Sequence, residues 1–199
     1  MIKPFVAILL CVSILAGCSS AGKESPQSAI EAATYVHTGQ RKLTLITMVN
    51  NRSGAGAHTA LLVEGSQAVM FDPAGSFIHD RVPERGDVLY GMSPFWVQAY
   101  KSAHARTNFH VVSQEFNVTP AQAERALQLV QARGAVRSAE CAFATSGILK
   151  QIPGFEDVRR GYYPLSLMSQ FEQKPGVTTT RYYEDDEGNV RDGIKALSQ

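Results

Sequence analysis

The chain has 199 residues, 44% of them apolar, and carries 19 Lys and Arg against 18 Asp and Glu for a formal charge of +1. That length is one domain's worth, and the apolar share is enough for a core. A balanced charge with no basic stripe excludes the electrostatic footprint of a nucleic-acid-binding surface, and no second long apolar run follows the N-terminal one, so no spanning helix is expected beyond it.

The first segment reads "MIKPFVAILLCVSILAGCSS". Lys3 supplies a positive start, an apolar stretch runs from Phe5 to Leu15, and small residues follow. This is the pattern of a secretory signal and is too short for a transmembrane span. "LAGC", Leu15 to Cys18, resembles the lipobox of bacterial lipoproteins. The resemblance implies cleavage before Cys18, diacylation of its thiol and acylation of the new amino terminus, and several acyl chains anchor stably where one is marginal. Ser19 after the cysteine implies sorting to the outer membrane. The competing reading is an ordinary signal peptide with a chance cysteine. Residues 1–17 are thus expected to be signal peptide, 18–41 a lipidated N-terminus and tether, and 42–199 the domain. Losing Lys3 leaves 18 basic residues against 18 acidic ones.

Cleavage would also settle the cysteines. Cys11 leaves with the signal, Cys18 carries lipid, and Cys141 remains without a disulfide partner in an oxidising compartment. A lone thiol there is either a small buried hydrophobe or a working group.

After the small, polar stretch around "SAGKESPQSAIEAAT", order is expected to begin near Lys42. "KLTLITMVN" (42–50) reads as a strand and "NRSGAG" (51–56) as a loop. "HTALLVEG" (58–65) and "QAVMFDP" (67–73) read as a hairpin, apolar on both faces and so inside a sheet. "GDVLYGM" (86–92) reads as another strand, and "PFWVQAYKSAH" (94–104) as a short surface helix with proline in its first turn. "NFHVVSQEF" (108–116) is a further strand. In "TPAQAERALQLVQARG", Thr119 caps a helix, Pro120 opens it, Gln122 completes a capping box and Gly134 ends it. Ser138 is the expected cap of the next helix, which Pro153-Gly154 stops, placing Cys141 in its first turn. Beyond Arg159 only "VTTTRYYE" (177–184) suggests a strand, and the end reads as frayed. The class is α+β, a mostly antiparallel sheet packed with helices.

A cysteine in the first turn of a helix faces unpaired N–H groups and the positive end of the helix, which favour the thiolate and can hold an oxyanion. It also needs a base. Of five histidines, His37 lies near the tether, His79 in a loop-like region and His104 at a helix end beside Lys101 and Arg106. His110, in a strand, is a serious rival. His58 is delivered by a Gly- and Ala-rich loop to the start of a buried strand, where its ring can reach a cleft. Asp72 ends the partner strand. A three-residue loop (64–66) would put His58 opposite Asp72 on one face, whereas a two-residue loop (65–66) would pair His58 with Pro73 and turn Asp72 away. Asp72 could equally be a turn residue before Pro73. No HxxxH pair and no second thiol suggest a metal site, so no metal or cofactor is expected.

"GAHTALLVEGSQAVMFDPAGSF", followed about seventy residues later by "AECAFATSGIL", resembles circularly permuted papain-like hydrolases. These are the permuted relatives of NlpC-type cell-wall peptidases and the lecithin:retinol acyltransferase family. The resemblance covers roughly residues 43–155. It implies a permuted papain-like fold in which Cys141 is the nucleophile, His58 the base and Asp72 the third member. Two departures stand out: Asp72 lies where relatives often carry His or another polar group, and Glu140 precedes the cysteine where they often have a polar amide. The implied activity is acyl transfer or hydrolysis on cell-wall peptides or acyl lipids by a lipid-anchored envelope enzyme, with its domain periplasmic or surface-facing. The alternative is a non-catalytic envelope lipoprotein that uses such a fold for binding.

Overall fold

A computed structural model describes residues 24–197. Within them the order is α1 (Gln27–Ala33), β1 (Lys42–Asn50), β2 (Gly56–Glu64), β3 (Ala68–Phe71), β4 (Glu84–Arg85), β5 (Val88–Tyr90), α2 (Pro94–His104), β6 (Phe109–Asn117), α3 (Pro120–Arg133), α4 (Cys141–Leu149), α5 (Pro164–Glu172), β7 (Thr178–Tyr182) and α6 (Val190–Ala196). The strands form one sheet, β4-β5-β3-β2-β1-β6-β7, every pairing antiparallel. No helix among the described residues is long and apolar enough to cross a membrane.

The unbroken apolar run of β1 follows from its position. It lies between β2 and β6, and its two faces meet different cores. Leu43 and Leu45, with Leu61, Val63, Val69 and Phe71, pack against α3, α4 and α5. Ile46 and Met48, with Ala60, Leu62 and Met70, pack against α2, α6 and the residues around Phe77. A strand covered on both sides shows no polar alternation.

Several expectations are corrected. The tether does not extend to residue 41. Ile30 of α1 is buried in the core, the Ser25 N–H donates to Glu84 O at 2.8 Å, and the Ala68 N–H donates to Tyr35 O at 3.1 Å. Residues 24–41 therefore belong to the folded unit. α4 starts at Cys141, three residues after Ser138. Ala139 turns the chain with φ 65°, and Glu140 is the N-cap without a side-chain bond. The last pair of the β2–β3 hairpin is Glu64 with Ala68, so the loop is 65–67 and neither weighed register holds. α1, α5, α6 and β4 are additional to the expected elements, and the end expected to fray is α6.

Candidate active site

Cys141 occupies the first position of α4, where its N–H has no intrahelical acceptor and the helix presents its positive end. Ala144, Thr145 and Ile148 on the same face are all buried, and the small side chains let α4 lie close to β2. The thiol meets the sheet where β3 has run out. β3 ends at Phe71, opposite Leu61. Two residues further along β2, the backbone N–H of Thr59, like that of Ala142, lies near enough to the Cys141 sulfur to lower its pKa.

His58 sits at an irregularity in β2. Met48 pairs with His58, but Val49 pairs with Gly56, so Ala57 is an extra residue on β2. A bulge of this kind bends the strand and re-aims the neighbouring side chain. Asp72 and His58 share a face, because the observed register, continued by one residue, puts Asp72 opposite Ala60. The two side chains meet on the diagonal: His58 Nε2 donates to Asp72 Oδ1 at 2.7 Å. With Nε2 so engaged, Nδ1 is the nitrogen left to face Cys141, which lies near enough to raise the His58 pKa. The structure therefore brings together Cys141, His58 and Asp72.

Burial alone would lower the His58 pKa. The hydrogen bond and charge of Asp72, followed by the contact with Cys141, outweigh it and raise the pKa to about 10. Burial would likewise raise the Cys141 thiol, but the His58 hydrogen bond and charge and the two backbone N–H groups lower it. For Asp72 burial is again opposed, by His58, His104 and Tyr100, and the carboxyl is held below its ordinary range. Both shifts act toward a thiolate beside an imidazolium.

Residues not singled out in the sequence hold this arrangement. The Tyr100 hydroxyl donates to the same Asp72 Oδ1 at 2.6 Å. Gly75 leaves room for the other oxygen, since a Cβ there would lie 1.8 Å from Asp72 Oδ2. Asp87 Oδ2 accepts from the Ala74 and Val136 N–H groups, both at 2.8 Å, and so joins the turn after Asp72 to the approach to Cys141. Among the described residues, the non-glycine residues with positive φ are Ala74, Asp87 and Ala139, all within this frame, and local strain of this sort collects at functional sites.

The other histidines are elsewhere or otherwise occupied. His110, the rival base, is half-buried, donating to Asn51 Oδ1 at 2.7 Å and stacking on Tyr183. His79 packs on Trp96, and His37 lies 3.6 Å from Glu64. His104 is not on a surface. It is buried, donates from Nδ1 to Tyr100 O at 2.8 Å, and stacks 6.4 Å from the His58 ring. Burial lowers its pKa to about 4, so it stays neutral beside His58 and does not compete for the proton. A cavity of about 250 Å³ opens beside His58, with Met48, Ala57, Phe109 and Val190 among its apolar walls. Cys18 lies outside the described residues.

Compared with protein-family models, curated proteins and solved structures, the chain matches none.

Proposed function

We propose that the chain is a cysteine hydrolase or acyltransferase acting on an amide or ester carbonyl, a permuted papain-like enzyme tethered to the bacterial envelope through lipid on Cys18. One observation carries this reading. A thiol with lowered pKa begins a helix beside His58, and the His58 ring is hydrogen-bonded to Asp72.

The chemistry follows from the charges. The Cys141 thiolate attacks the carbonyl carbon, and the carbonyl electrons move onto oxygen. The Cys141 N–H is the first donor available to that oxyanion. The His58 imidazolium gives its proton to the departing amine or alcohol as the carbon–heteroatom bond breaks, leaving a thioester. Neutral His58 then takes a proton from water or another acceptor. That acceptor displaces the thiolate, releasing the acid or the transferred acyl group, and His58 holds the proton again. The apolar cavity beside His58 suits an apolar portion of substrate, which both cell-wall peptides and acyl lipids can offer.

Alkylation by iodoacetamide tests the reading, with the modified cysteine assigned by mass spectrometry. Cys141 should react well below the ordinary thiol pKa of about 8.5. His58→Ala should remove that low-pH reactivity with the circular dichroism unchanged, and Cys141→Ser should abolish turnover of peptide or ester substrates. A profile indifferent to His58→Ala would leave a non-catalytic binding protein. For the anchor, an alkyne fatty acid should label the wild type and not Cys18→Ser, and an unlabelled wild type would remove the lipoprotein part alone.

A further inference from the structure

One turn beyond Cys141, the surface of α4 carries a small concavity of about 100 Å³. Ala144, Gly147, Ile148 and Gln151 line it, and Arg133 and Arg160 flank it. Ala144, Gly147 and Ile148 follow the three- and four-residue spacing of a single face of α4, and Gln151 continues it just past the helix end. Arg133 arrives from the end of α3. Arg160 arrives from the segment before α5, with its guanidinium 3.8 Å from the centre of the Phe143 ring. Phe143 is backed in turn by Tyr162, at 4.6 Å and nearly parallel.

Gly147 makes room for this placement. A Cβ there would lie 3.0 Å from Arg160 Nε and 3.4 Å from Cζ and Nη2. Glycine inside a helix is unfavourable relative to alanine, and here it lets a guanidinium lie against the helix. Among the described residues, the arginines in ion pairs are Arg85 and Arg106; Arg133 and Arg160 are in none. Asp87 feels the charge of Arg133, but its Oδ2 is taken by two backbone N–H groups. The Gln151 amide donates to Gly147 O. Two guanidinium forks therefore border one hollow with no described carboxylate within ion-pair distance of either, an arrangement that suits an anion accepting paired N–H bonds.

We propose that this hollow between Arg133 and Arg160 is a subsite for an anionic group of the substrate, a carboxylate or a phosphate. The proposal rests on the cysteine-hydrolase reading and narrows its substrate. Gly147 is six residues beyond Cys141, or about 9 Å along the helix. An extended peptide advances about 3.3–3.6 Å per residue, so the anionic group sits two to three residues from the bond that Cys141 attacks.

Three electrophiles test this on the full chain: chloroacetyl-glycyl-glycine, its C-terminal amide, and N-chloroacetyl phosphoethanolamine. Each Cys141 alkylation rate, read by mass spectrometry, is divided by the same protein's rate with iodoacetamide, which has no anionic group. The wild type should favour at least one anionic probe over the neutral amide about tenfold. The favoured one distinguishes carboxylate from phosphate. Arg160→Gln should abolish the preference and Arg133→Gln should reduce it several-fold, with circular dichroism reporting the fold. Equal rates for all three probes in the wild type, or a preference that survives both substitutions, would overturn the subsite. Iodoacetamide reactivity independent of His58 would instead overturn the hydrolase reading.

Discussion

Asp72 Oδ1 receives both the His58 ring and the Tyr100 hydroxyl, and this decides what its replacement does. Asn can still accept both bonds but removes the charge that raises the His58 pKa. Asp72→Asn should therefore weaken low-pH alkylation of Cys141, though less than His58→Ala, because Asp72 acts on the sulfur only through the ring. Gly75→Ala should be more disruptive than its size suggests. The new Cβ falls on Asp72 Oδ2, and overpacking of this kind costs about 1–3 kcal/mol. A displacement of about 1 Å at the orienting group can cost about a hundredfold in rate. Wild-type turnover in Gly75→Ala would show that the placement of Asp72 does not matter. The pKa shifts also fix a pH window. His58, raised to about 10, stabilises the fold below its unfolded value of about 6.5 and loses that contribution as pH rises through about 10. Asp72, lowered, stabilises above the unfolded carboxyl value and loses its contribution as pH falls through its folded pKa. Turnover should accordingly fall as pH rises through about 10, when His58 can no longer protonate the leaving group. Alkylation should persist there, because the thiolate remains. A pH–rate profile beside an alkylation profile separates the two, and parallel losses would deny His58 the role of acid.

The elements that were legible in the sequence carry their own punctuation. α3 was read from its capping box, and both reciprocal bonds between Thr119 and Gln122 are present. α2 was read from Pro94, with Ser93 accepting from the Trp96 N–H. α5 opens on Pro164 as α2 does on Pro94 but has no side-chain cap, and β4 is only two residues long, so their local signals are weaker. The hairpin register departs from expectation for a different reason. Its loop is held by distant groups: the Glu124 carboxylate accepts from Ser66, and the His37 N–H donates to Ser66 O. Turn rules for two strands cannot include a helix and an N-terminal segment. The pairing of His58 with Asp72 was nevertheless readable, because the observed loop keeps both on one face, as the three-residue alternative did. Tyr100 and His104 stand four apart on α2 and face the core, a spacing that a surface reading of that helix concealed. The α3 cap also offers a control. Gln122 Nε2 donates to Pro153 O at 2.7 Å, so this cap braces the chain beyond the C-terminal end of α4, away from Cys141. Thr119→Ala should cost about 1 kcal/mol in urea denaturation and leave the Cys141 alkylation profile unchanged. An altered profile would mean that the whole of α4 responds to its distal brace.

At the scale of the whole molecule, the N-terminal segment decides where the folded unit begins. Residues 24–41 run along the β4–β5 edge and on to the β2–β3 loop. Arg85 Nη2 donates to Ser25 O at 2.6 Å, the backbone of Val36 bridges to Gln67, and a Cβ on Gly91 would lie 2.5 Å from Ala33 O. Tyr35 and His37 also line a cavity of about 490 Å³ shared with Lys42, Glu64 and Lys101. A chain beginning at Lys42 would lose all of this. Burial of Ile30 alone is worth about 1.5–3 kcal/mol. The hydrogen bonds add about 1 kcal/mol each, but the entropy regained by leaving the segment out offsets much of that. The net expectation is a loss of about 2 kcal/mol relative to a chain beginning at Glu24, with the Cys141 pair still formed, because none of its hydrogen-bond partners lies before residue 58. Denaturation midpoints of the two chains check the first part, and His58-dependent alkylation checks the second. Equal midpoints would return residues 24–41 to the role of a tether. If Cys18 carries lipid, the distinction sets the geometry at the membrane. The link from Cys18 to Glu24 spans at most about 20 Å, so the domain would work close to the bilayer surface, whereas a free tether to residue 41 would let it range several times further.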